Sequence, residues 1–182
     1  RWQCRRDPQS GNADDHRRWS MSEPVWLTEA RNHIGLREIK GAPTEPRIAG
    51  WLKKLGAWWG DDETPWCGTF VAAVMQAQSI PVPKAWYRAK GWVDWGQRLT
   101  TPTVGCVVVF ERTGGGHVAI VVGRDQIGRL LCIGGNQGDA VSIAPFDRSR
   151  VIAYRWPPGE PLPGLATLPT FASSAKASSN EA

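Results

Sequence analysis

Cys67, His117 and Asn136 are the residues of this chain whose types and order could together do chemistry. An ionised cysteine is a soft nucleophile, a histidine can take its proton near neutrality, and an asparagine carbonyl can hold the imidazole in one tautomer. Cys67 stands in Thr64-Pro65-Trp66-Cys67-Gly68, ahead of apolar Phe70, Val71, Val74 and Met75. Thr64 reads as an N-cap and Pro65 as the first helical residue, which puts Cys67 at the third helical position. Unpaired backbone N–H groups and the positive end of the helix dipole favour an anion there, so the expectation is an ionisable thiol. The acidic run Asp61-Asp62-Glu63 would oppose ionisation if it faced the sulfur, and is expected to point outward.

His117 follows Gly114-Gly115-Gly116 and opens a β-branched run, so one flank of it is expected to be open to substrate. His16 lies in an N-terminal stretch without periodicity, and His33 is expected on the surface of the first helix. Asn136 follows Cys132-Ile133-Gly134-Gly135, and Gln137 and Asp139 compete with it for the task of holding the ring. Each residue also has a blander reading: an inert buried thiol, a structural strand histidine, a turn asparagine. The ordered occurrence of all three favours a thiol hydrolase. Seven of the eleven tryptophans fall between Trp51 and Trp95. Most fill core, but indole faces also stack on sugar rings. Trp66, Trp86, Gly116 and Gln137 are therefore the candidate substrate-binding residues, and Glu38 is expected to be structural or a groove-rim carboxylate.

The elements that must position these groups follow from periodicity. Helices are expected over Pro24 to Gly35, over Thr44 to Trp58 with Thr44 as cap, and from the Cys67 segment onward. Residues 83–97 hold a short helix. Strands follow near 104–110, 117–123, 129–133, 140–143 and 151–155, separated by Gly-rich turns. Helices grouped before a meandering antiparallel sheet make an α+β domain. Residues 1–20 read as a disordered or upstream-derived extension, 21–157 as the catalytic domain, and 158–182 as a flexible Pro/Ala/Ser-rich tail.

Composition narrows the partners. The 182 residues carry 22 basic and 17 acidic side chains, a net charge of +5, of which the first twenty residues supply five Arg against three Asp. This mild bias suits a polyanionic wall polymer, but forms no dense basic stripe for nucleic acid. No run approaches the roughly 20 apolar residues of a membrane span, and no segment has the order of a secretory signal. The cysteines at 4, 67, 106 and 132 lack CxxC spacing, so neither a zinc site nor a disulfide framework is indicated. Cys106 and Cys132 read as small buried hydrophobes.

From about Trp26 to Trp156 the chain resembles the NlpC/P60 and CHAP group of peptidoglycan-cleaving cysteine hydrolases, in particular a compact subfamily of bacteria and phages. The resemblance rests on ordered markers: Glu38-Ile39-Lys40-Gly41, Asp62-Glu63-Thr64-Pro65-Trp66-Cys67, Trp95-Gly96, Val107-Val108-Val109-Phe110, Gly116-His117-Val118-Ala119, Gly134-Gly135-Asn136-Gln137 and Tyr154-Arg155-Trp156-Pro157. It implies a papain-like fold with Cys67 as nucleophile and His117 as base. It also implies an endolysin-like hydrolase of a wall amide bond, acting as N-acetylmuramoyl-L-alanine amidase or as peptide endopeptidase. Two departures stand out. Many CHAP domains carry a Glu where this chain has Gly134, and a strand that usually begins Gly-Asp reads Gly105-Cys106 here.

The expected partner is peptidoglycan, with no cofactor, no metal, no nucleic acid and no stable membrane insertion, on a monomer. The chain would be made in the cytoplasm and act on the wall in the periplasm, after holin-type or other non-Sec release. The rivals are an acyltransferase or transpeptidase on the same fold and a non-catalytic wall-binding module.

Overall fold

The computed structural model describes residues 23–41, 43–164, 167–173 and 175–178. The expected extension 1–20 lies outside them. Three α-helices come first: α1 (Val25–Arg31), α2 (Pro46–Leu55) and α3 (Cys67–Ala77). A 3₁₀ turn, Ala89–Trp92, leads into the strands β1 (Gln97–Leu99), β2 (Val107–Arg112), β3 (Gly115–Asp125), β4 (Leu130–Gly134), β5 (Ser142–Phe146), β6 (Val151–Trp156) and β7 (Thr170–Phe171). The sheet runs β1-β6-β2-β3-β4-β5 with antiparallel neighbours, and β7 pairs with β3 in parallel. The α+β expectation holds.

α3 is the central helix. Every residue from Cys67 to Met75 is buried, as befits a helix apolar on all sides, and it packs against α1, α2 and β3. Each large apolar side chain so enclosed contributes about 1.5–3 kcal/mol relative to exposure. α2 is amphipathic by contrast, burying Ile48 and Leu52 and ending at Gly56 with φ 72°, the left-handed conformation that closes a helix.

Both helix starts differ from the sequence expectation, α2 by one residue and α3 by two. Glu45 caps α2, its Oε2 accepting the N–H groups of Arg47 (2.7 Å) and Ile48 (3.0 Å). Pro46 takes the first helical position, which forces the cap onto its predecessor. Thr44 instead donates its hydroxyl to the Gly60 carbonyl. Thr64 does not cap α3, because Asp61 Oδ1 accepts both its N–H and its hydroxyl at 2.9 Å, in a turn of its own. Trp66 stands at the N-cap, so Cys67 is the first helical residue and not the third.

The segment 158–182, expected to be flexible, docks where it is described. Thr170 and Phe171 extend the edge of β3 beyond β2, and the Pro169 carbonyl accepts from Arg124 N–H at 2.9 Å. Gly123 makes room, since a Cβ there would lie 2.6 Å from the Phe171 ring and 2.7 Å from the Pro169 carbonyl oxygen. Leu168 is buried against the body, and Arg129 donates to the Ala175 carbonyl. A composition poor in core-formers concealed a few residues that pair with an open strand edge.

Candidate active site

The loop before α3 is held by two acidic side chains. Buried Asp62 accepts from the backbone N–H groups of Ile39 (3.2 Å) and Glu45 (2.9 Å), which ties the segments flanking it together. Glu38 Oε2 accepts from the Trp66 indole at 3.0 Å. Glu38 is thus a brace for the residue preceding Cys67. With 1% of its surface exposed, Trp66 presents no open ring face for a sugar, and it supports the site from behind.

Cys67 enters where the sheet opens. β3 and β4 pair through Ile120 and Ile133, and β4 ends at Gly134. The first turn of α3 packs over the departing chain: a Cβ at Gly135 would meet Phe70 Cβ and the Trp66 ring at 2.6 Å. On the vacated edge of β3, the Val118 N–H faces the Cys67 sulfur. Burial pushes the thiol above its ordinary value of 9.0. The Val118 and Gly68 N–H groups and the positive charge of Arg112 pull the other way without prevailing. The expectation of a thiolate favoured by the helix start is therefore reversed: the donors are present, but desolvation outweighs them.

His117 is wholly buried in β3, directly across from Phe110 in the register. Its imidazole lies nearly parallel to Phe146 (5.2 Å between centroids, 11°) and to Phe110 (6.4 Å, 21°). Its Nε2 is 3.0 Å from Gln137 Oε1. Asn136, expected to hold the ring, sits buried with φ 57° at the start of a left-handed turn that includes Gly138 (φ 65°) and Asp139 (φ 60°). Gln137, expected to meet substrate, is 6% exposed, and its amide nitrogen donates inward to Ser142 O (2.7 Å), Ser142 Oγ (3.2 Å) and Cys132 O (3.4 Å).

The remaining wall is the loop carrying Trp86 to Trp92. A Cβ at Gly68 would collide with the Trp86 carbonyl and lie 2.9 Å from Tyr87, and one at Gly116 would lie 3.4 Å from both Ala89 Cβ and Lys90 Cγ. One loop therefore touches both elements that carry Cys67 and His117. Trp86 is buried, stacked on Trp59 at 5.7 Å, whereas Trp58 is 77% exposed. His33, expected on the helix surface, instead packs edge-on against Trp51 while its Nε2 meets Glu29 Oε1 at 3.0 Å.

The structure thus brings the Cys67 thiol to the residue next to His117, and Gln137 to the His117 ring. Arg112, whose charge acts on Cys67, was missed. It ends β2 half-buried, and nothing in its local sequence marks it. A cavity of about 1050 Å³ lies away from these residues, lined by Pro24, Val122, Leu131, Pro145 and the docked segment around Phe171.

Residues 59–136 match the CHAP domain family model. The match covers Cys67, His117 and Asn136, and is consistent with the NlpC/P60–CHAP superfamily and its papain-like fold. CHAP domains are generally cysteine- and histidine-dependent amidohydrolases or peptidases, and the family implies peptidoglycan as substrate. No curated protein and no solved structure matches the chain. Among the described residues, no helix is long and apolar enough to cross a membrane, and no cluster of side chains could hold a metal ion.

Proposed function

We propose that this CHAP region hydrolyses an amide bond of peptidoglycan by thiol catalysis, with Cys67 as nucleophile and His117 as general base. The observation that carries the reading is the Cys67 sulfur at the first turn of α3, facing the N–H of the residue that follows His117.

Burial favours the protonated thiol in the resting site. As the amide carbonyl approaches, His117 takes the Cys67 proton and the sulfur attacks the carbonyl carbon. The N–H groups of Cys67 and Gly68, which begin α3 and have no acceptor one turn back, are placed to stabilise the oxyanion. His117 returns its proton to the leaving amine, and water then releases the acyl group from sulfur. Asn136 contributes the left-handed turn that sends the next residue inward. In this reading the protein acts on the wall as a monomer in an endolysin-like role, as amidase or as endopeptidase.

The test is digestion of purified peptidoglycan by the wild type and by Cys67→Ala, with mass spectrometry of the soluble products. Fragments released only by the wild type are expected. A new N-terminal L-alanine identifies an amidase, and a new amine within the stem or cross-bridge an endopeptidase. No release from several wall types by a folded wild type would overturn the proposal.

A further inference from the structure

The His117 ring plane and the ring edge are fixed by different neighbours. Phe146 and Phe110 lie parallel to the imidazole and set its plane. Stacking leaves a half-turn of the ring undetermined, since either edge fits against the flat apolar face of Phe146. The bond from His117 Nε2 to Gln137 Oε1 at 3.0 Å decides that half-turn.

It also decides where the proton sits. A Gln side chain has one donor end and one acceptor end, and its orientation must be read from its partners. At the nitrogen end stand the carbonyl oxygens of Ser142 (2.7 Å) and Cys132 (3.4 Å), which can only accept. The amide nitrogen therefore faces them and the amide oxygen faces the ring. An amide oxygen cannot donate, so His117 Nε2 carries the hydrogen.

We infer that Gln137 is a positioning residue that holds His117 in the Nε2–H tautomer, leaving Nδ1 as the atom that takes the Cys67 proton. This inference rests on the proposed thiol mechanism for its catalytic consequence, but not for the tautomer itself. Gly134 belongs to the same arrangement. A Cβ there would collide with the Gln137 amide oxygen and lie 3.1 Å from both its Cδ and Ala119 Cβ, so any side chain at 134 evicts the carboxamide. The turn through Asn136 then closes by a bond from Gln137 N–H to the Ala140 carbonyl at 2.9 Å, fixing the backbone that carries the amide.

A neutral partner has a chemical consequence. A carboxylate in this place would stabilise the imidazolium and raise the basicity of the ring, whereas an amide orients it without that charge.

Two measurements test the assignment. The first is the two-bond ¹H–¹⁵N correlation of the imidazole in Cys67→Ala, read with and without Gln137→Leu. The expected result is a single Nε2–H tautomer with Gln137 present, and a mixture or the Nδ1–H form without it. An Nδ1–H tautomer with Gln137 present, or an Nε2–H tautomer unaffected by the substitution, overturns the inference. Since this readout needs no turnover, it stands even where the peptidoglycan experiment fails.

The second is the pH profile of wall hydrolysis. Gln137→Leu is expected to lower kcat about 10- to 100-fold with little change in KM, the size of effect seen when a partner orienting a functional histidine is lost. Gln137→Glu is expected to move the acidic limb of kcat/KM upward by about one pH unit through the added negative charge. A Glu variant whose acidic limb coincides with that of the wild type overturns the inference.

Discussion

Three buried cysteines of this chain share one solvent environment and differ in what their sulfur meets. Cys132 in β4 and Cys106 just before β2 are both 0% exposed, and Cys67 at 5% is scarcely more open. Burial raises all three thiols: Cys106 to about 12, Cys132 well above its ordinary value with the nearby Cys106 adding to the effect, and Cys67 against opposing donors that do not prevail. What separates Cys67 is the set of groups that favour its anion, namely the N–H groups of Val118 and Gly68 and the charge of Arg112. Cys132 has no such counterweight among the influences on it, and Cys106 has only the backbone at Thr103 and its own N–H. Burial is therefore a poor marker of an inert thiol; the donors placed to receive its charge distinguish a candidate nucleophile.

The largest effect that would break this comparison is on turnover. Cys67→Ala is expected to abolish wall hydrolysis, a loss beyond about 1,000-fold for removal of a nucleophile. Cys132→Ala is expected to keep activity within a few-fold while costing about 1–2 kcal/mol of stability as a small core truncation. Release of labelled fragments and urea unfolding of both variants measure the contrast. Comparable loss of activity in the two would erase the distinction.

Next in size is chemical reactivity. Iodoacetamide is expected to modify Cys67 at least about 10-fold faster than Cys106 or Cys132 in the folded protein, because the thiolate is the reacting form. With its ionisation pushed upward, the Cys67 rate should still be climbing at pH 9 and not have levelled off. Mass spectrometry of peptides after timed quenching reads all three sites. A plateau below pH 8 would show that the helix start prevails over desolvation.

The smallest effect is on stability in alkali. Cys106 ionises near 9.0 when unfolded and at about 12 when folded, so the native state binds the proton more tightly. Its contribution is present in full below pH 9.0 and is lost as pH rises toward about 12. Denaturant midpoints measured across that range should fall less steeply for Cys106→Ala than for the wild type. Parallel slopes would count against a buried, neutral Cys106.

Much of this was legible from local order. The apolar run after Cys67 marked a buried helix, the β-branched run after His117 marked a strand, and the Gly-rich stretch before Asn136 marked a turn. Local reading failed where a side chain had another suitor. Thr64 could cap a helix, but Asp61 engages both its N–H and its hydroxyl. Gln137 sits beside the expected ring partner Asn136, and which of the two neighbours faces the ring depends on a turn in which Asn136, Gly138 and Asp139 take positive φ and Gln137 does not. Trp66 and Trp86 carried the composition of a sugar platform, and packing hid both.

By itself the sequence determined the element types, their order and the presence of a thiol, an imidazole and an amide at the junctions. Those depend on periodicity and on residue chemistry, which are properties of neighbours along the chain. The tertiary structure decided that Cys67 meets the edge of β3 at Val118, that Gln137 meets His117 Nε2, and that Phe171 lies over Gly123. Each of these joins residues brought together by strand register and helix docking. Their energies come from desolvation and from paired buried dipoles, which exist only once the chain has folded around them.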